Sequence, residues 1–285
     1  MKTDSGQEKH NSPVVGIIVP VKNRKDEITR LLASVDKQTY PLGSISVVIV
    51  DAFSTDGTAE EVKKHSFAKL LQIDEERHVS RNRGAESIES KYLIHLDSDM
   101  ELLPGTIETL VSIAEKEGYE FLSIPERSEG KTLWAKSRNL EKIMIDDDPD
   151  RCGGRFMMRK VFNAVGGYDE DTMNSEDYNI HTRIIQAGYK HRVAKETFVY
   201  HHEKSTVFEA ARKQFYYSQT AHLYMKKYPK AWVKQYNPLR LVYFTHIKLL
   251  LRHPFLTFIL FAGKVLNYTF GLLGLLYGII KGKKG

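Results

Sequence analysis

The tripeptide Asp97–Ser98–Asp99 follows the apolar run Tyr92–Leu96 and enters a turn. Two carboxylates at i and i+2 on a strand end can offer oxygens to one hard divalent cation. Mg²⁺ or Mn²⁺ held this way keeps positions open for diphosphate oxygens. In isolation the same pattern also describes a solvated turn. A second carboxylate, Asp51, closes the run ISVVIV. It could accept hydrogen bonds from a nucleobase or ribose, whereas Asp56–Gly57 just beyond it reads as turn and cap chemistry. A third group, Glu176–Asp177, opens a helical pattern behind a plausible N-cap, Ser175, and ahead of a stop at Gly188. The helix dipole favours charge in that first turn, and an ionised carboxylate there suits a general base.

These groups need a frame that brings them together. Val14–Val19 and Ile45–Val50 are short apolar runs, Leu70, Leu71 and Ile73 suggest a third strand, and Tyr92–Leu96 a fourth. Between them, Lys25–Lys37 carries Ile28, Leu31, Leu32 and Val35 at helical spacing, and Ser80–Ser90 also reads as a helix. Pro104 suits the first turn of a helix that reaches Lys116 and stops at Gly118, with a strand over Tyr119–Ile124. Strands alternating with helices predict an α/β fold with a parallel sheet and right-handed crossovers. Ligands bind such sheets at the carboxyl ends of the strands, where Asp51 and Asp97 fall.

The chain has 285 residues and a net charge of +6, unevenly spread. Residues 1–203 hold 28 Lys/Arg against 35 Asp/Glu, while Lys204–Gly285 holds 14 against one. The basic part is also rich in Leu, Phe and Tyr, which suits a membrane surface better than a nucleic-acid groove. Residues 255–280 contain one charge, Lys264. A helix of that length spans roughly 39 Å, against about 30 Å for a hydrocarbon core. The alternative is a buried helix of a soluble domain, and Lys264 must snorkel, pair or lie near the interface. Basic residues flank both ends, so charge alone does not orient the segment. Ser205–Leu251 interleaves aromatics with Arg and Lys, as headgroup-plane helices do, or as helices packed on the domain would. The expected divisions are a flexible stretch 1–13, a catalytic domain 14–204, interfacial helices 205–253, a transmembrane segment 254–281 and a basic tail 282–285. The first residues lack an apolar signal-peptide region, so the expected location is the cell membrane, integral, with the large domain on the cytosolic face. One cysteine, Cys152, excludes an internal disulfide.

VGIIVPVKNR (15–24), VIVDAFSTDGT (48–58), SRNRGAESIESKYLIHLDSDME (80–101), GGRFMMRKVFNAVGGYDE (153–170), NSEDYNIHTRIIQAGY (174–189) and FVYHHE (198–203) occur in this order and spacing. The set resembles family 2 glycosyltransferases over about Val14–Glu203, and with the apolar tail looks like cellulose-synthase-like enzymes and polyprenyl-phosphate sugar synthases. The resemblance implies a GT-A fold and an inverting transfer. It implies that Pro20 and Asn23 line the nucleotide pocket, that Asp51 contacts the base and that Arg81 sits near the diphosphate. Asp97 and Asp99 become the acidic pair, with Asp99 the stronger metal ligand. Asp177 of the Glu176–Asp177 pair becomes the catalytic base. His201 matches a histidine that often completes the metal site, with His202 its rival. Two departures stand out: Ala52 follows Asp51 where the family often has a second Asp, and the Gln-x-x-Arg-Trp motif of processive enzymes is absent.

The expected donor is a GDP- or UDP-sugar, with mannose favoured by family analogy, and the expected cofactor Mg²⁺ or Mn²⁺. The expected partners are membrane lipids and a lipid-linked acceptor, and no nucleic acid. An alcohol acceptor needs a base and a bare lipid phosphate does not, so Glu176–Asp177 favours a lipid-linked saccharide over a polyprenyl phosphate. A nucleotidyltransferase would carry a glycine-rich loop where Val21–Lys25 has none. A membrane-binding scaffold would leave Asp97, Asp99 and Asp177 without a purpose.

Overall fold

A computed structural model describes residues 14–151, 153–170, 176–238 and 240–282. The stretch 1–13, Cys152, the expected cap Ser175 and the last residues of the basic tail lie outside them. Chain order begins β1 (Val15–Val21), α1 (Lys25–Asp36), β2 (Ile45–Asp51), α2 (Thr58–Val62), β3 (Ala68–Gln72), α3 (Arg77–Glu86) and β4 (Tyr92–His95). The runs that are apolar throughout are the strands buried on both faces, as parallel strands covered by helices must be. Next come β5 (Met100–Leu102), α4 (Thr106–Glu117), β6 (Phe121–Ser123), β7 (Glu126–Glu129), α5 (Leu133–Ile145) and β8 (Gly154–Met158). Gly118 ends α4 at φ +71°, the left-handed cap expected of a glycine there. The domain closes with α6 (Arg159–Ala164), α7 (Glu176–Gln186), β9 (His191–Val193) and β10 (Val199–His202).

The main sheet has the order β3-β2-β1-β4-β8-β6-β9. It is parallel except for β8, which runs against both β4 and β6. After β6 the chain stays at the carboxyl end of the sheet to build β7 and α5. It therefore re-enters there, with Gly154 opposite Ser123, and runs backwards. This reversal brings Arg155, near the start of β8, to the edge where β4 delivers Asp97. A small sheet, β5-β10-β7, stands beside that edge.

The C-terminal part is helical: α8 (Val207–Ser218), α9 (Ala221–Lys227), α10 (Pro229–Tyr236), α11 (Leu241–Thr245), α12 (Ile247–Arg252) and α13 (Pro254–Ile280). Thr206 and Glu209 form a capping box on α8. α9 and α10 pack on the catalytic domain through Tyr224, which is buried and hydrogen-bonded to Thr182 (2.9 Å) and Gln235 (2.7 Å). α13 is long and apolar enough to cross a membrane, by length and composition. One of its faces packs along the protein. Gly263 meets Trp134 of α5, and Gly274 and Gly278 let the backbone of Phe215 and Gln219 approach closer than any side chain would allow. Leu260 shares an apolar cluster with Met144, Val242, Tyr243 and Leu250. The opposite face exposes Phe255, Phe258, Val265, Leu276 and Ile280.

Candidate functional site

The loop after β2 is held by Asp51. Its buried carboxylate accepts from the Ser54 amide (3.1 Å) and hydroxyl and from Gln72 Nε2 (3.3 Å). Asn23, at φ +51°, ties the β1 loop to this one: its amide donates to Ser54 Oγ (2.7 Å) and its Oδ1 accepts from the Thr55 amide (2.8 Å). Asp51 and Asn23 thus hold the loops after β1 and β2 together. Pro20 lines the adjoining cavity. Phe53 also has φ +51° and is largely exposed. A bulky residue there is strained and outward-facing, a feature the sequence pattern does not flag.

Asp97 sits among guanidinium groups. Arg81 Nη2 lies at 2.7 Å, Arg155 Nη2 at 3.3 Å and Arg77 Nη1 at 4.0 Å. Withdrawal from water would raise its pKa, but Arg155, Arg81 and Arg77 outweigh that and hold it far below the usual carboxylate range. Arg81 is fully buried and also donates to Asp177 Oδ1 at 2.8 Å. It is a strut between two candidate site carboxylates, with no exposed surface of its own.

Glu176 and Asp177 are neighbours with different surroundings. Glu176 is buried against Arg77, whose Nε donates to it at 2.9 Å. Burial would raise its pKa, and Arg77 and Arg81 bring it below its ordinary value. Asp177 keeps 39% of its side chain exposed and has one oxygen on Arg81. Of the two, Asp177 is the one open to solvent.

Asp99 and His201 meet across β5 and β10, with His201 Nε2 3.3 Å from Asp99 Oδ2. The other carboxylate oxygen, Oδ1, is buried without a hydrogen-bond partner. An orphaned carboxylate oxygen beside an imidazole is a donor set that suits Mg²⁺ or Mn²⁺, so the residues fit the expected metal. Burial would lower the His201 pKa, but its bonds to Asp99 and Glu126 raise it to about 9. A metal here would replace that proton. His202 turns to the small sheet instead, 2.8 Å from Glu101 and 3.4 Å from Glu129. Those three form a second group with metal-capable atoms within 4.8 Å of one another. The His202 amide still supports the site by donating to the Asp99 carbonyl at 3.0 Å.

A cavity of about 800 Å³ opens on Asp97, Asp99 and His201 and continues between α5, α8, α10 and α13. A smaller one of about 230 Å³ contains Glu176, Asp177, Arg155 and Glu126. Arg77, Arg138, Arg151 and Tyr178 line both. The sequence reading missed Arg77, Arg155, Glu126 and Lys142, which hold the site charges. Two signals were present: Arg77 stands one helical turn before Arg81, and Arg155 is a lone charge in an otherwise apolar strand.

The family model described as Glycosyl transferase family 2 matches residues 16–183, more than half of the chain. Glycosyltransferase AglE of Haloferax volcanii is 26% identical over 221 residues, 71% of either chain. An undecaprenyl-phosphate 4-deoxy-4-formamido-L-arabinose transferase of Yersinia enterocolitica is 29% identical over 154 residues, 50% of this chain and 45% of its own. Among solved structures, the mannosyltransferase PcManGT of Pyrobaculum calidifontis, in complex with GDP-Man and Mn²⁺, superposes with a TM-score of 0.63 at 18% identity, covering 94% of this chain and 86% of that one. S. aureus TarS 1-349 in complex with UDP-GlcNAc gives 0.56 at 18% identity, over 74% and 66%. These likenesses show that the fold is GT-A, as the sequence predicts.

Proposed function

Because the chain belongs to glycosyl transferase family 2, we propose that it is a membrane-associated, inverting enzyme that moves a sugar from a nucleoside-diphosphate sugar to a hydroxyl of a lipid-linked saccharide. The observation that carries this reading is the large cavity. One end holds the metal-capable pair Asp99–His201, and one wall is the apolar helix α13. A soluble acceptor needs no such wall.

In this reading the donor lies against Pro20, with Asn23 and Asp51 shaping the nucleotide side. Arg81 holds one Asp177 oxygen and leaves the other free to take the acceptor hydroxyl proton. The acceptor oxygen attacks the anomeric carbon opposite the nucleotide. The bond to the diphosphate breaks as the new C–O bond forms, which inverts the centre in one step. Asp99 and His201, with Asp97 behind them, would hold a divalent metal, which supplies positive charge for the departing diphosphate. Support for a metal and for a GDP-sugar donor is the P. calidifontis neighbour carrying Mn²⁺ and GDP-Man. The neighbour carrying UDP-GlcNAc keeps a UDP-sugar in any donor screen. α13 is the membrane anchor, its outer face toward acyl chains, with the catalytic domain on the cytosolic side.

The second reading is transfer to a polyprenyl phosphate. It is favoured by the relative named as an undecaprenyl-phosphate transferase. One variant separates the two. Asp177→Asn should bind donor normally and lose about 10²–10⁴-fold in transfer to an alcohol acceptor, the usual size of general-base catalysis. Near wild-type transfer to alcohols would remove Asp177 as the base. Failure on alcohols with retained transfer to polyprenyl phosphate would favour the second reading.

A further inference from the structure

Glu141 of α5 is fully buried and accepts from Arg138 and from Lys264, the one charge of α13. Arg151 lies at 3.8 Å on the same carboxylate. Three cations therefore share one acid. The acids closest in sequence are engaged elsewhere: Asp146 with Arg127, Asp148 with Arg240 at 2.7 Å, and Asp150 with Lys234 at 2.7 Å. Counted against Glu141, the cluster holds two positive charges in excess, on side chains only 12–28% exposed. Keeping them there is costly without a counter-charge, and a lysine in an apolar helix is retained where it serves a function.

All three cations line the large cavity. The part of α13 that lines it is one helical face: Lys264, Asn267, Tyr268, Gly271, Leu272 and Leu275. It runs from charged to apolar along the helix. Trp134 and Trp232 line the same cavity, and each has an indole N–H buried without a hydrogen-bond partner. A surplus of two positive charges, presented by two guanidinium forks and an ammonium, complements the two negative charges of a diphosphate that links a lipid to a saccharide. The apolar continuation complements a hydrocarbon chain.

We infer that Arg138, Arg151 and Lys264 form the subsite for the diphosphate of the lipid-linked acceptor, whose lipid chain runs along α13 past Leu272 and Leu275. This rests on the acceptor class proposed above. It adds that the acceptor is held by its diphosphate, apart from Asp99 and His201, with its sugar end reaching toward Asp177 past Arg138, Arg151 and Tyr178, which both cavities share.

The test uses the full chain in neutral detergent and the fluorescence of Trp134 and Trp232, the only two tryptophans of the sequence. Farnesyl phosphate should give a saturable change at about 10-fold lower concentration than farnesol, the size of one charge-assisted hydrogen bond or more. Inorganic phosphate should compete weakly and phosphatidylglycerol vesicles hardly at all. Lys264→Gln and Arg138→Gln should each weaken farnesyl phosphate about 10-fold, Lys264→Arg should retain it, and all three should bind nucleoside diphosphate as the wild type does. Equal binding of farnesol and farnesyl phosphate overturns the inference and needs no variant. So does wild-type binding by both Gln variants. Displacement by phosphatidylglycerol as effective as by farnesyl phosphate assigns the cluster to bulk lipid and also overturns it. If farnesyl phosphate binds as expected but no lipid-linked saccharide is glycosylated, the subsite stands and the acceptor class proposed above fails.

Discussion

Two charged clusters, one at the carboxyl edge of the sheet and one under α13, use the same residue types to different ends. At the edge, Asp97, Glu126, Glu176 and Asp177 face Arg77, Arg81, Arg155 and Lys142, so acids and bases nearly balance. Under α13, one acid faces three bases. A balanced cluster is a scaffold: its charges satisfy one another and hold Asp177 and Asp99 in position. An unbalanced one has charge left for something that arrives. Burial acts on both sides of this difference, because it strengthens each pairing and penalises each surplus.

The sharpest way to break the balanced cluster is Arg81→Met. It takes away the fully buried guanidinium that joins the two acids, leaving Asp97 with Arg155 and Arg77 and the part-exposed Asp177 with water, and should cost about 3 kcal/mol of stability, the low end for removal of one partner of a buried pair. Urea unfolding measures it, and a loss under 1 kcal/mol would mean the cluster does not act as a scaffold. Next in size, Asp99→Ala should abolish metal-dependent donor binding, and chelator should do the same to the wild type. Calorimetric titration of donor with and without Mn²⁺ checks both, and full turnover in excess chelator removes the metal from the mechanism.

Lys264→Met should behave differently. Glu141 keeps Arg138 and Arg151, so no charge is stranded and the stability loss should stay below the roughly 3 kcal/mol typical of a stranded buried ion. A loss as large as that of Arg81→Met would make the α13 cluster a scaffold too. The smallest effect concerns acid. Burial would raise both carboxylates, but the guanidinium groups around Asp97 hold it far below the usual range, and Arg138 with its neighbours does the same for Glu141. Both clusters should therefore stay charged at pH 5. Burial lowers His181 and His191 to about 4. Unfolded histidine takes a proton near pH 6.5, so stability is complete above that pH and declines as pH falls toward 4. The melting temperature should drop modestly from pH 7 to pH 5, and His191→Gln should flatten the slope. A flat wild-type profile would contradict the assignment.

Much of the catalytic frame was legible before any coordinates. The runs that became β1, β2 and β4, the stops at Asp51 and Asp97, and the helix opening at Glu176–Asp177 are local patterns of periodicity and punctuation. The balanced cluster was half legible, because Arg81, Asp97, Arg155, Glu176 and Asp177 sit in recognisable motifs while Arg77, Glu126 and Lys142 do not. The α13 cluster was not legible. Lys264 appeared as a flaw in an apolar segment, and α5, which carries Glu141, fell in a stretch where no element was expected.

By itself the sequence determined which residues enter β1 to β4 and β6, that Asp51 and Asp97 stand at strand ends, that a basic apolar tail follows an acidic body, and the family. Each of these depends on residues a few positions apart, or on the order of motifs along the chain. Only the tertiary structure decided that β8 runs backwards and brings Arg155 to Asp97, that Arg81 joins Asp97 to Asp177, and that Lys264 meets Glu141 across 123 positions. Those contacts come from the packing of distant segments, and whether a buried charge is balanced or left over depends on every neighbour that packing supplies.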